Sequence, residues 1–309
     1  MSIEGALIGS ILGDALGMPY EFKSRKELDN NPVMDLVYKK AIITDDSSMT
    51  LCTIENLLEN GNDLPMLYQK FNQWLMEGYW SFDGVHTIGM GMIVGNALNR
   101  IRAEQKQDKP EEGGLTGEMD NGNGSIMRII PVILYNLNKS LSDMLHEVHK
   151  ASRITHAHPR SQMGCGIYAL FVRAFKEEKD KEKAYNRMIK DSKEYYGQRI
   201  EFEKELVHYT RILDQKIWEI NRDEIQSTGY VVHTLEAAMW SIMSTDTFEE
   251  GILRAINLGD DADTVGAVAG GMAGYIYGRN TIPNNWVKKI TRIEEIEVLI
   301  KKFEEKVTK

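Results

Sequence analysis

Residues 3–18, IEGALIGSILGDALGM, place glycine at positions 5, 9, 13 and 17 of an otherwise apolar run. On a helix this four-residue spacing stacks the glycines on one face, smooth enough for a second helix to approach closely. The run is too short to cross a bilayer and contains Glu4 and Asp14, so it reads as a buried packing helix rather than a membrane span. Helical periodicity continues along the chain. SMTLCTIENLLENG (48–61) and LPMLYQKFNQWLMEG (64–78) carry apolar residues three and four apart and end on glycine. IGMGMIVGNALNRIRAEQK (88–106) reads the same way, followed by a polar, glycine-rich loop over 103–124. The spacing predicts further helices at 126–137, 140–152, 161–178, 180–196, 198–219, 229–243, 247–256 and 263–277. No run shows clear period-2 alternation.

The expected fold is therefore all-α, with residues 1–309 as a single compact domain. The charged stretch 171–227 keeps its periodicity and reads as solvated amphipathic helices. At 42% apolar and 27% charged residues the chain can bury a sizeable core. A net charge of −9 argues against a general duplex-binding surface. Two cysteines make neither a disulfide framework nor a zinc site, and no secretory signal opens the sequence, so the expected location is cytoplasmic.

Two acidic clusters carry the chemistry. ITDDSSMTLCT sets Thr44, Asp45 and Asp46 at the start of one predicted helix, and GDDADTVGAVAG sets Asp261, Asp263 and Thr264 at the start of another. Helix N-termini favour negative charge, and one acid at each could simply cap its helix. Capping does not explain adjacent acids with no Lys or Arg nearby, because close carboxylates disfavour each other's ionisation unless a cation joins them. Oxygen-only donors suit a hard ion, Mg²⁺ or Mn²⁺, and this many could hold two, oriented to activate a water. In GDALGMPYEF, Pro19 ends a helix and leaves Glu21 on a turn, where the plain reading is a solvated acid. MDNGNGSIMRIIP offers close backbone approach at Gly122 and Gly124 ahead of a helix start, which suits a phosphate. ITHAHPRSQMG places His156, His158 and Arg160 around a proline. That group suits zinc or a phosphate contact equally well.

Taken in order, GALIGSILGDALGMPYEF, TDDSSMT, DNGNGSIMRIIPV, THAHPRSQMG, GYVVHTLEAAMW and NLGDDADTVGAVAGGMAGYIYG resemble the ADP-ribosylglycohydrolase family, most of all its bacterial dinitrogenase reductase-activating branch. The resemblance runs from Gly5 to about Trp286. It implies an all-α fold with a central cleft holding two Mg²⁺ or Mn²⁺ ions on Thr44, Asp45, Asp46, Asp261, Asp263 and Thr264. Asp260 stands where many relatives have glycine and is expected to be a neighbour of the ligands. Glu21 and Asp120 would be the catalytic acids. Gly122, Asn123, Gly124 and Ser125 would hold ribose and diphosphate, with His156 assisting and Tyr230 packing on the substrate.

The implied activity is hydrolysis of the N-glycosidic bond between ADP-ribose and a modified arginine, on an ADP-ribosylated protein or a small ADP-ribosyl substrate. The same motifs would serve ADP-ribosyl-serine, O-acetyl-ADP-ribose or an ADP-ribosylated nucleic acid. A non-catalytic ADP-ribose-binding relative would show eroded ligands, and both clusters here are intact. Two departures stand out: Ser47 replaces a common threonine, and Thr87 stands where an aspartate is frequent.

Overall fold

The computed structural model describes residues 1–214 and 216–309. The glycine-striped segment forms the helix Ile3–Gly17, capped by Ser2, whose hydroxyl accepts from the Gly5 N–H. Its partner is the helix Ala262–Tyr277, and the two run antiparallel in main-chain contact. A Cβ at Gly5, Gly9, Gly13 or Gly17 would collide with the carbonyl oxygen of Gly274, Gly270, Gly266 or Ala262, respectively. The stripe thus finds its complement in the small residues of the second helix, and the pair forms the buried axis of the molecule.

Helices Phe248–Ile256, Val231–Met243 and Pro159–Glu178 pack against this axis on one side. Helix Asp45–Asn60 leans on it from another and is backed by Leu64–Glu77 and the C-terminal helix Ile293–Val307. Among the described residues there is no strand, only isolated bridges such as Gly122 with Tyr230. None of the described helices is long and apolar enough to cross a membrane.

Three expectations about helix extent need correcting. The 198–219 segment is not one helix. It breaks into Ile200–Glu203, a 3-10 turn Leu206–Tyr209, then Thr210–Leu213 and a 3-10 turn Ile217–Glu219. Tertiary bonds compete for its groups. The Tyr185 hydroxyl donates to the Ile212 carbonyl, Tyr209 donates to the Arg160 carbonyl, and Glu205 pairs with Arg160.

The 126–137 segment is a 3-10 turn, Ile126–Arg128, followed by the helix Ile130–Asn136. Pro131 lacks an N–H and its ring would clash one turn back, so the α-helix starts beside it. The helix expected over 88–106 spans only Met92–Ala103. The residues just before it form no regular structure, and Gly89 sits at φ +87°, where a Cβ would lie 2.5 Å from Asp45 Oδ1.

Candidate active site

Both acidic clusters sit at helix N-termini. Thr44 caps Asp45–Asn60, and Asp261 is the N-cap position of Ala262–Tyr277. The antiparallel axis brings the end of the first helix beside the start of the second. There Met18–Tyr20 forms a 3-10 turn and delivers Glu21. The turn is tied across by the Phe22 N–H donating to Asp260 O and the Asp260 N–H donating to Lys23 O. Asp260 is spent in that tie: it is exposed at φ +57°, outside the cluster. One carboxylate oxygen each from Glu21, Asp261 and Asp263 lie within 4.8 Å of one another.

These acids line the floor of a cavity of about 390 Å³. Its wall includes Glu21, Asp45, Asp46, Asp261, Asp263 and Thr264 on one side, and Gly122, Asn123, Gly124 and His156 on the other. Asn123 ties the sides together, donating from Nδ2 to Asp261 Oδ2 at 2.8 Å and to Thr234 Oγ1 at 2.9 Å. A second cavity of about 480 Å³ adjoins it, sharing Ile93, Gly122 and Gly229. Tyr230 and Arg160 line this second space. Glu118 and Glu205 both pair with Arg160, so its charge is already answered.

Burial first, then repulsion from neighbouring carboxylates, pushes Glu21, Asp45, Asp46 and Asp263 toward protonation. Asp45 is raised to about 7, with Asp14, Asp261 and Glu21 as the repelling charges. Asp46 and Asp263 are raised well above the usual carboxylate range, and Glu21 is raised as well. The charges acting on Asp46 are all carboxylates: Asp263, Asp14, Asp45 and Asp261. Among the described residues, buried Asp46 Oδ1 has no hydrogen-bond partner. An orphaned, anionic, all-oxygen donor set is what a hard divalent cation completes. The residues present fit one.

Asp14, to which the sequence alone assigns no role, orders the start of one acidic cluster. It is fully buried and accepts from Thr44 Oγ1 at 2.9 Å, Thr44 N at 3.0 Å, Ser47 N at 3.1 Å and the Ser47 hydroxyl. It therefore caps the helix Asp45–Asn60 from outside and fixes the orientation of Thr44. The available signal was an acid inside an apolar, glycine-striped helix, where a charge needs a reason.

Three expected site residues stand apart from the cavity lining. Thr44 is buried behind the floor, with its hydroxyl on Asp14. Ser125 is buried with its hydroxyl between Ser152 and Cys165. Asp120 lines neither cavity. Its Oδ2 accepts from Gly117 N at 2.8 Å and closes the turn before the glycine loop.

Sequence comparison matches residues 2–309 to the ADP-ribosylglycohydrolase family. The chain is 31% identical over 300 residues to an ADP-ribosylarginine hydrolase Tri1 of Serratia proteamaculans (strain 568), covering 96% of this chain and 77% of that one. It is 28% identical over 303 residues to an ADP-ribosyl-[dinitrogen reductase] glycohydrolase of Rhodospirillum rubrum, covering 95% and 92%. Among solved structures it resembles a chain of an ADP-ribosylglycohydrolase-related protein complex, with a TM-score of 0.78 and 28% identity over 98% of this chain and 96% of that one. The acidic cleft and these matches agree: the chain belongs to the ADP-ribosylglycohydrolase family and is an enzyme of that class.

Proposed function

We propose that this chain removes ADP-ribose from arginine side chains by hydrolysing the N-glycosidic bond. The observation that carries the reading is the floor of the cleft, whose buried carboxylates have one another as their principal charged neighbours. Relatives named for ADP-ribosyl-arginine and ADP-ribosyl-[dinitrogen reductase] support the choice of acceptor. Residues 1–309 act as one catalytic unit in this reading, since the first cavity alone draws residues from Glu21 to Thr264.

Asp45, Asp46, Asp261, Asp263, Thr264 and Thr44 would hold two Mg²⁺ or Mn²⁺ ions, with Glu21 beside them. When bound, the ions would neutralise the carboxylates and supply Lewis acidity to ribose hydroxyls and to a water. Glu21, half-buried at the edge of the floor, takes the proton as the water oxygen bonds to the anomeric carbon. The electron pair of the breaking C–N bond leaves with the guanidine, and the proton held on Glu21 completes the leaving group. Glu21 suits this role better than Asp120, whose carboxylate is engaged by Gly117. Asn123 keeps Asp261 oriented, the backbone at Gly122 and Gly124 admits the sugar and diphosphate, and Tyr230 offers an aromatic edge in the adjoining cavity. The buried, unpaired thiols of Cys52 and Cys165 suit a reducing, cytoplasmic setting.

The test is release of free ADP-ribose from an arginine-modified protein with Mg²⁺ or Mn²⁺, alongside ADP-ribosyl-serine and O-acetyl-ADP-ribose. Preferred turnover of the arginine substrate, abolished by EDTA, is the expected result. Activity surviving both EDTA and Asp261→Asn/Asp263→Asn would overturn it.

A further inference from the structure

Arg128 is fully buried, and among the described residues no carboxylate pairs with it. Its Cζ stands 4.6 Å from the Phe71 ring centroid, its terminal nitrogens reach the Ala151 carbonyl at 3.3 and 3.4 Å, and Nε has no partner. A cation held this way is costly. One of its bonds leads toward the cleft: Nη2 donates to Thr155 Oγ1 at 2.8 Å.

Among the described residues, Thr155 Oγ1 has one other hydrogen-bonding neighbour, His156 Nδ1 at 2.9 Å. A guanidinium only donates, so the hydroxyl proton is left for Nδ1. A ring that accepts at Nδ1 carries its single proton on Nε2. That nitrogen faces the glycine loop of the first cavity, where a Cβ at Gly122 would lie 3.3 Å away and one at Gly124 3.5 Å away. Burial and the Arg128 charge also push the imidazole down to about 3, in keeping with a neutral ring.

We propose that Arg128 and Thr155 are positioning residues that lock His156 in the neutral Nε2–H form, so that it serves the cleft as a fixed hydrogen-bond donor to an oxygen of the bound ADP-ribosyl group. The ligand's identity rests on the function proposed above. The state of the ring does not. A locked donor cannot act as a base, so His156 orients substrate and takes no part in proton transfer.

The experiment is ¹⁵N-histidine NMR on the intact, ligand-free protein between pH 5 and 8, with calorimetric titration of ADP-ribose. The wild-type protein should show Nε2–H throughout. Thr155→Val should mix the tautomers and weaken ADP-ribose binding about tenfold, as for loss of one oriented hydrogen bond. KM should rise in that variant more than kcat falls, and Thr155→Ser should restore the wild-type pattern. Arg128→Met, which keeps volume and removes the donor, should shift the same tautomer balance. An Nδ1–H ring or an imidazolium in the wild type would overturn the proposal, as would a tautomer unchanged in Thr155→Val. The wild-type spectrum needs no variant to fold. Failure to cleave ADP-ribosyl-arginine would count against the proposed activity and leave the spectrum as it is.

Discussion

Asp14 shows how a residue outside the cavity can govern it. Its two oxygens receive four donors from Thr44 and Ser47. Asp14→Asn would turn an N–H group toward one of those donors, at a cost of about 1–3 kcal/mol. Misplacing Thr44 and its neighbours should weaken Mn²⁺ binding by roughly 10–100-fold, as read by calorimetry. Unchanged affinity would show that the helix start holds its place unaided. Asp46 predicts the opposite sign in the metal-free protein. Asp46→Asn removes one member of a crowd of like charges, so the stripped protein should gain about 1 kcal/mol and melt roughly 2 °C higher, while hydrolysis is lost. Differential scanning calorimetry with and without Mg²⁺ reads both effects. The acids of the two clusters were legible in sequence because adjacent carboxylates without a base demand an explanation. Asp14 was not, because the groups that use it lie 30 and 33 positions away.

At the scale of elements, the pairing of Ile3–Gly17 with Ala262–Tyr277 does the positioning. Gly13→Ala or Gly266→Ala would drive a methyl into facing backbone, which cannot rotate aside as a side chain can. The expected cost is about 3 kcal/mol, at the upper end for overpacking. Because the helix ends lead to Glu21 and Asp263, divalent-ion affinity should fall along with the melting temperature. A loss of stability with intact affinity would show that the two ends are held independently. The stripe announced a close helix contact in the sequence, since little else asks for glycine every fourth residue. The breaks at 198–219 were hidden, because the hydroxyl that captures the Ile212 carbonyl belongs to Tyr185, on another helix.

For the whole molecule, the cleft stores unfavourable charge that a cation relieves. Burial raises the folded-state values of Asp14 to about 6 and Asp45 to about 7, and Asp46 and Asp263 rise too. These groups bind protons more tightly folded than unfolded. Their contribution is fully present below the unfolded value of about 4 and is lost as pH rises through the folded values. The metal-stripped protein should therefore melt progressively lower from pH 5 to pH 8, and Mg²⁺ should recover most of that loss at pH 8. A stripped protein whose melting point ignores pH over this range would contradict the stored charge.

The glycine axis has a further consequence. Its spacing is set by main-chain atoms, so the register between Glu21 and the Asp261–Thr264 turn depends on covalent geometry rather than on the size of intervening side chains. The opposite wall, made of residues 89–91, the start of the helix Met92–Ala103 and the loop Gly122 to Gly124, lies outside the glycine axis and is tied to the floor by the Asn123 bond to Asp261. Changes in that wall that spare Asn123 leave the spacing of the floor untouched. In this architecture, substrate choice and bond-breaking chemistry can evolve as separate traits.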